Sequence, residues 1–266
     1  MESFSGKVVW ITGASSGIGE ALVHAFAQLG AKIVLTARRE QELKRVQQEA
    51  GLKEENSFIL PLDLYHTEHI ADSVELIKKR FGTIDVLVCN AGVVQRFAVK
   101  DSTIVVDRQI MELNFFAVTA LTKSVLPTML EKKSGHIVVI SSVMGKVAIP
   151  NRSMYAASKH ALHGFFDALR AEVFRDNIGV TVVCPGYVRT NISINAVNAD
   201  GKKYGKMDEG QQHGMAPEKC ANGIINAVRK NKDEVFIGGK ELRVILLKRF
   251  FPGLLNYILK RRKFPI

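Results

Sequence analysis

Residues 7–19 read Lys-Val-Val-Trp-Ile-Thr-Gly-Ala-Ser-Ser-Gly-Ile-Gly. A short β-branched and aromatic run passes without a linker into the glycine-rich octet Thr12–Gly19, which opens an amphipathic stretch over 17–29. A strand, a tight glycine turn and a helix in that order make a physical site out of what is otherwise a weak pattern. The glycines permit the turn and let backbone approach a phosphate, while the helix N-terminus supplies N–H donors and a partial positive charge. The stretch therefore predicts a parallel α/β sheet carrying a dinucleotide, with Gly13, Ser15, Ser16, Gly17, Ile18 and Gly19 around its pyrophosphate.

Outward from this point the same rhythm repeats. Short Val/Ile/Leu-rich runs at 7–12, 31–36, 57–62, 84–89, 135–140, 179–184 and 234–237 alternate with helical stretches at 17–29, 39–50, 67–81, 102–131, 153–176 and 217–230. Thr67 and Ser102 suit helix N-caps. No repeat, low-complexity tract or linker divides the chain. The expected fold is one doubly wound α/β domain of the Rossmann type over 1–266, a seven-stranded parallel sheet with helices on both faces. Residues 191–214 break the rhythm: polar and aperiodic, they read as a substrate lid or a disordered segment. The tail, 240–266, is basic and apolar, with Leu247, Phe250, Phe251, Leu254, Leu255, Ile258 and Leu259 on one broad stripe that Pro252-Gly253 kinks or divides.

Composition narrows the function classes. The 266 residues are 47% hydrophobic and 24% charged, which suits one globular α/β core. Net charge is +11, of which +7 falls in the tail from Lys240 onward. No nucleic-acid reading module accompanies that charge, so nucleic acid is not an expected partner. Cys89, Cys184 and Cys220 lack metal or disulfide spacing and suggest buried reduced thiols. No signal-like segment opens the chain and no run reaches the ~20 uninterrupted apolar residues of a spanning helix. An intracellular, cytoplasmic protein, free or peripheral on a membrane, is the expectation.

The second strand ends Leu35-Thr-Ala-Arg38-Arg39. An acidic residue here would accept from ribose hydroxyls and repel a 2′-phosphate, whereas two guanidinium groups attract one. The expected cofactor is NADP(H) in preference to NAD(H), with Ser15 and Ser16 adding hydroxyl contacts. Asp63 and Leu64 are placed to meet the adenine ring, and Asn90-Ala91-Gly92 to lie on the ligand-binding edge of the sheet.

Tyr155 and Lys159 stand one helical turn apart, with Ser142 just after the fifth strand. A tyrosine with a pKa of about 10 is a poor base near neutrality. A lysine at i+4 favours tyrosinate, so Tyr155 becomes a competent proton donor or acceptor. Ser142 can hold a substrate oxygen against it. The histidine pairs His66/His69 and His160/His163 have i,i+3 spacing, but no neighbouring carboxylate or cysteine completes a metal site in the sequence, and no metal is expected.

These motifs resemble the short-chain dehydrogenase/reductase family over residues 4–240: the glycine octet, Asn90-Ala-Gly92, Asn114, Ser142, Tyr155 with Lys159, and Pro185-Gly186 through Thr190. Ser141-Ser142-Val-Met-Gly-Lys-Val-Ala and Ala-Ser-Lys-His-Ala-Leu-His-Gly-Phe-Phe are similar to the branch of 11β-hydroxysteroid dehydrogenase type 1 and dehydrogenase/reductase member 7. The resemblance implies that Asn114 holds a water linking Lys159 to solvent and that Lys159 contacts the nicotinamide ribose. It also implies that Pro185, Gly186, Val188 and Thr190 border the nicotinamide, and that the protein is a homodimer or homotetramer built on its long helices. Cys89 replaces an asparagine frequent before Ala-Gly in the family, a packing change, and the N-terminal anchor of membrane-bound relatives is not seen in this sequence.

The leading reading is an NADP(H)-dependent oxidoreductase acting on CH–OH groups, interconverting a carbonyl and a secondary alcohol. Its small-molecule substrate is expected to be lipophilic, a steroid, a retinoid or another hydrophobic carbonyl. A 3-oxoacyl-carrier-protein reductase and a cofactor-sensing protein without turnover are the alternatives. The tail covers the cleft, lies on a membrane, or packs as plain core.

Overall fold

The computed structural model describes residues 3–262. In chain order they form β1 (Val8–Thr12), α1 (Gly17–Gln28), β2 (Lys32–Thr36), α2 (Glu40–Glu49), β3 (Ser57–Ile59), α3 (Ile70–Phe81) and β4 (Val86–Cys89). There follow α4 (Ile104–Met111), α5 (Ala117–Lys132), β5 (Gly135–Ile140), α6 (Ser153–Glu172), β6 (Ile178–Pro185), α7 (Glu209–Gln212), α8 (Pro217–Arg229), β7 (Glu234–Ile237), α9 (Arg243–Phe250) and α10 (Pro252–Arg261). The strands make one seven-stranded sheet in the order β3-β2-β1-β4-β5-β6-β7, every neighbouring pair parallel. Order reverses between β1 and β4, and the loops after these strands open a crevice where such sheets bind ligands.

Alternation along the strands builds two cores. Val8 and Trp10 of β1 face α3, α5 and α6, packing with Ile77, Val125 and Phe166. Val9 and Ile11 face the other way, onto Leu22 and Phe26 of α1 and Ile224 of α8. Parallel strands covered on both faces need apolar residues at every position, which is why the strand runs are continuous rather than alternating. Trp10 is fully buried and its Nε1 donates to Thr36 Oγ1 at 2.8 Å, so the polar atom of the largest core side chain is satisfied across β1 and β2.

Several boundaries differ from the sequence reading. The ladder of β3 ends at Ile59, yet Leu60 N still donates to Leu35 O and Leu62 N to Ala37 O, so the strand peels off gradually. The helix expected over 102–131 is α4 and α5 joined by a π turn at Glu112–Phe116, with Thr103, not Ser102, capping it through Val106 N. Thr67 opens a 3₁₀ turn before α3 rather than capping the helix. Segment 104–132 is, among the described residues, the one helix long and apolar enough to cross a membrane, and Leu121, Val125 and Met129 pack one of its faces into the core. Pro252 divides the tail into α9 and α10, which breaks the expected single stripe: Leu255 is buried, while Phe250, Phe251 and Leu254 are exposed. Lys263 lies outside the described residues.

Candidate active site

The glycine loop is held from below by the loop after β4. Thr12 Oγ1 donates to Val88 O at 3.2 Å and accepts from the backbone N–H groups of Asn90 and Ala91 at 3.0 and 3.2 Å. The Asn90 side-chain amide donates to Thr12 O at 3.0 Å and Gly13 O at 3.3 Å. This fastening leaves no room for a side chain at 13: with φ +66°, a Cβ there would stand 2.8 Å from Asn90 Nδ2. At Gly17, φ +61°, a Cβ would stand 3.0 Å from Thr190 Cγ2, so the glycine loop and the loop after β6 meet. A cradle of backbone that any Cβ would fill, at the N-terminus of α1, fits the pyrophosphate of a dinucleotide.

The same edge gathers the residues expected at the adenosine end. Ala14 N donates to Thr36 O at 3.1 Å, which sets Ser15 and Ser16 beside the end of β2, where Arg38 and Arg39 are both exposed. Leu62 pairs with Ala37, bringing Asp63 alongside; Asp63 Oδ1 accepts from Tyr65 N at 3.1 Å. The Leu64 side chain is buried in the core. Arg45 of α2, which drew no attention in the sequence, pairs with Glu20 of α1 at 2.8 Å and reaches Ser15 O at 3.5 Å, bracing the loop.

On the other side of the switch point lies a cavity of about 950 Å³. Ile18, Asn90, Gly92, Ser142, Tyr155 and Lys159 line its floor. Pro185, Gly186, Val188 and Thr190 border the same cavity. The Ser142 hydroxyl acts on the Tyr155 phenol, and it accepts from Met144 N at 3.1 Å, which fixes its direction. Tyr155 is 8% exposed. Lys159 is buried, its Nζ donating to Ile140 O at 2.7 Å and standing 5.7 Å from the tyrosine ring centroid.

The electrostatics correct one expectation. Burial pushes the Tyr155 phenol above its usual 10, and the neighbouring Ser142 hydroxyl pulls it back only in part. Burial also lowers the Lys159 ammonium, from 10.5 to about 8. In this arrangement Tyr155 is a neutral donor and Lys159 a cation of weakened hold on its proton.

Asn114 reaches the site from the π turn, a local widening that turns its side chain inward. It is fully buried, accepts from Val93 N at 2.8 Å, and donates to Val93 O at 2.9 Å and Ser158 Oγ at 3.1 Å. The space beside Gly92 touches both Asn114 and Lys159: a Cβ there would lie 3.0 Å from Asn114 Oδ1 and 3.7 Å from Lys159 Nζ.

Three features escaped the sequence. Gln95, fully buried, accepts at Oε1 from Met154 N at 2.6 Å and Tyr155 N at 3.1 Å, capping the first turn of α6. The lid is pinned rather than loose, through the bridges Gln95–Val197 and Val188–Met215 and the short α7. His163 lies within 4.8 Å of Cys184 and Glu234, residues that its own neighbourhood in sequence does not supply. Its Nδ1 stands 3.2 Å from Glu234 Oε1, the same oxygen that Lys146 Nζ pairs with at 2.8 Å, and its Nε2 lies 3.1 Å from Ser141 Oγ. All three cysteines are buried and free, and burial pushes their thiols up.

The tail completes the cavity. Val244, Leu247, Leu255, Ile258 and Leu259 line it, so one side of α9 and α10 gives the cavity an apolar wall.

This geometry has close parallels. The family model described as short chain dehydrogenase matches residues 7–201. A dehydrogenase/reductase SDR family protein 7-like of Anopheles gambiae is 44% identical over 264 residues, covering 97% of this chain and 83% of its own. Dehydrogenase/reductase SDR family member 7B of Mus musculus is 43% identical over 255 residues, covering 94% and 76%. Among solved structures, a metagenomic short-chain oxidoreductase in complex with NADP shares 28% identity at TM-score 0.73, covering 89% of this chain and 98% of its own. A Burkholderia phymatum short chain dehydrogenase/reductase in complex with NAD superposes at TM-score 0.84 over 100% and 99% of the two chains, a likeness of fold at 23% identity. With the glycine cradle, the Ser142, Tyr155 and Lys159 side chains on one cavity and the sheet order all in agreement, the chain belongs to the short-chain dehydrogenase/reductase family of oxidoreductases.

Proposed function

We propose that the protein is an NADP(H)-dependent enzyme that interconverts a carbonyl and a secondary alcohol on a lipophilic substrate. The observation that carries this is that Ser142, Tyr155 and Lys159 line one 950 Å³ cavity together with apolar side chains of α9 and α10. A bound nicotinamide supplies the hydride. Ser142 holds the substrate oxygen, and Tyr155 gives its phenolic proton to that oxygen as negative charge develops, or takes one back in oxidation. Lys159, positive below about pH 8, stabilises the phenolate that results. Asn114, together with the space beside Gly92, gives the lysine a route for proton refilling. Reduction of a lipophilic ketone such as a steroid by NADPH, followed at 340 nm (the nicotinamide band), tests the reading; no turnover across steroids, retinoids and quinones would remove it.

Arg38 and Arg39, exposed just after β2 where the strand's own end carries no acidic residue, support NADP(H) over NAD(H). Asp63 stands on the same edge for the adenine, with Leu64 next to it. Exposed Ile104, Val105 and Phe116 on the long helices support a homodimer or homotetramer formed there. The buried free thiols support an intracellular, reducing compartment. The outer side of the tail exposes Phe250 (64%) and Phe251 (62%) beside Lys248 and Arg249, and Leu254 and Tyr257 beside Lys260 and Arg261, which supports peripheral contact with an anionic membrane. An apolar substrate leaving the bilayer then meets the inner side of the same two helices.

A further inference from the structure

Two arginines stand in the wall of the substrate cavity and share one carboxylate. Arg96 follows Gln95 in the loop after β4, and Arg152 occupies the N-cap position of α6. They are 8% and 5% exposed. Arg96 Nη2 pairs with Asp208 Oδ2, and Arg152 Nη2 lies 3.6 Å from the same oxygen. The other oxygen of Asp208 is engaged as the cap of α7, accepting from Gly210 N at 2.8 Å. Arg152 Nη1 is spent on its neighbour's carbonyl, Asn151 O, at 2.8 Å. Arg96 Nε is buried without a hydrogen-bond partner, while its guanidinium lies 5.8 Å from the centre of the Tyr204 ring.

Buried charges are ordinarily paired and their donors satisfied. Here two desolvated guanidinium groups face one carboxylate, leaving an excess positive charge and an orphan donor. The remaining carboxylates of the cavity are engaged or exposed: Glu241 Oε1 accepts from Tyr187 N and Gly239 N, and Glu209 is exposed on α7. The location is equally specific. Arg152 is three residues before Tyr155 on the same helix, and Arg96 adjoins the glutamine that accepts from Tyr155 N. The apolar wall of α9 and α10 lines the same cavity.

We propose that Arg96 and Arg152 form a subsite for an anionic group, a carboxylate or a phosphate, on a lipophilic carbonyl substrate. The lid carboxylate of Asp208 is the internal competitor that the anion displaces. The inference rests on the carbonyl-reductase reading and names its substrate class: an amphiphile with its carbonyl at Ser142 and Tyr155, its anion at the arginines and its chain along the tail.

The test is calorimetric titration of the NADPH-loaded protein with octanoate, methyl octanoate and octyl phosphate. At least one anion binds tighter than the ester by about tenfold or more, and whichever anion is the tighter identifies the headgroup chemistry. Arg96→Gln and Arg152→Gln each reduce that ratio several-fold, and Asp208→Asn, which retains a side-chain oxygen to cap α7, raises it. Should Arg96→Gln fail to fold, the other two variants carry the opposed shifts. Equal affinity for anions and ester overturns the proposal, as does weakening of the ester in parallel with the anions, the signature of a merely structural pair. Turnover of neutral ketones, measured alongside, reports on the reductase reading itself. Ketone reduction without anion preference sinks the subsite alone, and anion preference without reduction of any ketone sinks the reading alone.

Discussion

The side-chain oxygen of Gln95 accepts the backbone N–H of Tyr155 at 3.1 Å, and that of Met154 at 2.6 Å, from a loop sixty residues away in the chain. The first turn of α6 would otherwise begin with unpaired buried donors. Instead the residue that anchors the turn also fixes where the tyrosine stands relative to Ser142.

Gln95→Leu is expected to leave those donors unsatisfied at a cost of about 1–3 kcal/mol. Thermal unfolding should register the loss. Because the tyrosine is repositioned rather than removed, kcat should fall roughly tenfold, with little change in the KM for cofactor. A larger effect on cofactor KM than on kcat would contradict the placement.

The arginines at the end of β2 make a second prediction. Arg38→Asp with Arg39→Ser replaces two attractive groups by one repulsive group at the ribose edge. The kcat/KM ratio of NADPH over NADH should drop by about a hundredfold or more, as expected for loss of charge-assisted contacts. An unchanged ratio would mean that the phosphate is read elsewhere.

Glu234 links pH to stability. Burial alone would raise its carboxyl, but the His163 ring and the Lys146 ammonium beside it outweigh that and hold it at about 2, below the usual 4.5. A depressed carboxylate stabilises the folded state fully above the unfolded value and loses that contribution as pH falls through the folded one. Denaturant titrations of wild type and Glu234→Gln should therefore differ most above pH 4.5 and converge toward pH 2. A gap that stays constant over that window would show that the carboxylate's charge is not what matters.

Leu255 tests the tail. At 4% exposure it is the buried anchor of α10, and Leu255→Ala should cost about 2–5 kcal/mol of local packing. The KM for a lipophilic ketone should rise as the wall loosens. By contrast, Phe250→Ser with Phe251→Ser alters only exposed side chains, and vesicle sedimentation should show reduced partitioning onto anionic lipid; equal partitioning would remove the membrane proposal.

The sheet was legible from the sequence because each of its strands is a separate apolar run, and both faces of each run must be covered. Motifs that sit at strand ends were legible for the same reason: a glycine turn, Asn90 and Ser142 take their places from the strands before them. What periodicity could not reveal were features that cost no change of composition. The π turn that aims Asn114 adds one residue to a turn inside an unbroken helical pattern. Gln95, Arg96 and Asp208 are polar residues in loops, whose partners are chosen by the fold and not by neighbours in sequence. Likewise Cys184 and Glu234 join His163 only because β6, β7 and α6 are stacked. The tail's apolar stripe was visible, but its division into an inner wall and an outer exposed side depends on the turn at Pro252.

The central claim is that Tyr155 delivers the proton at the substrate oxygen, and Tyr155→Phe measures it most directly. The substitution removes one hydroxyl and keeps the buried ring, so NADPH binding should remain within about twofold, a change under half a kcal/mol. The account predicts a fall in kcat of about a thousandfold or more, the scale of losing a positioned general acid. Turnover within tenfold of wild type in that variant would contradict it.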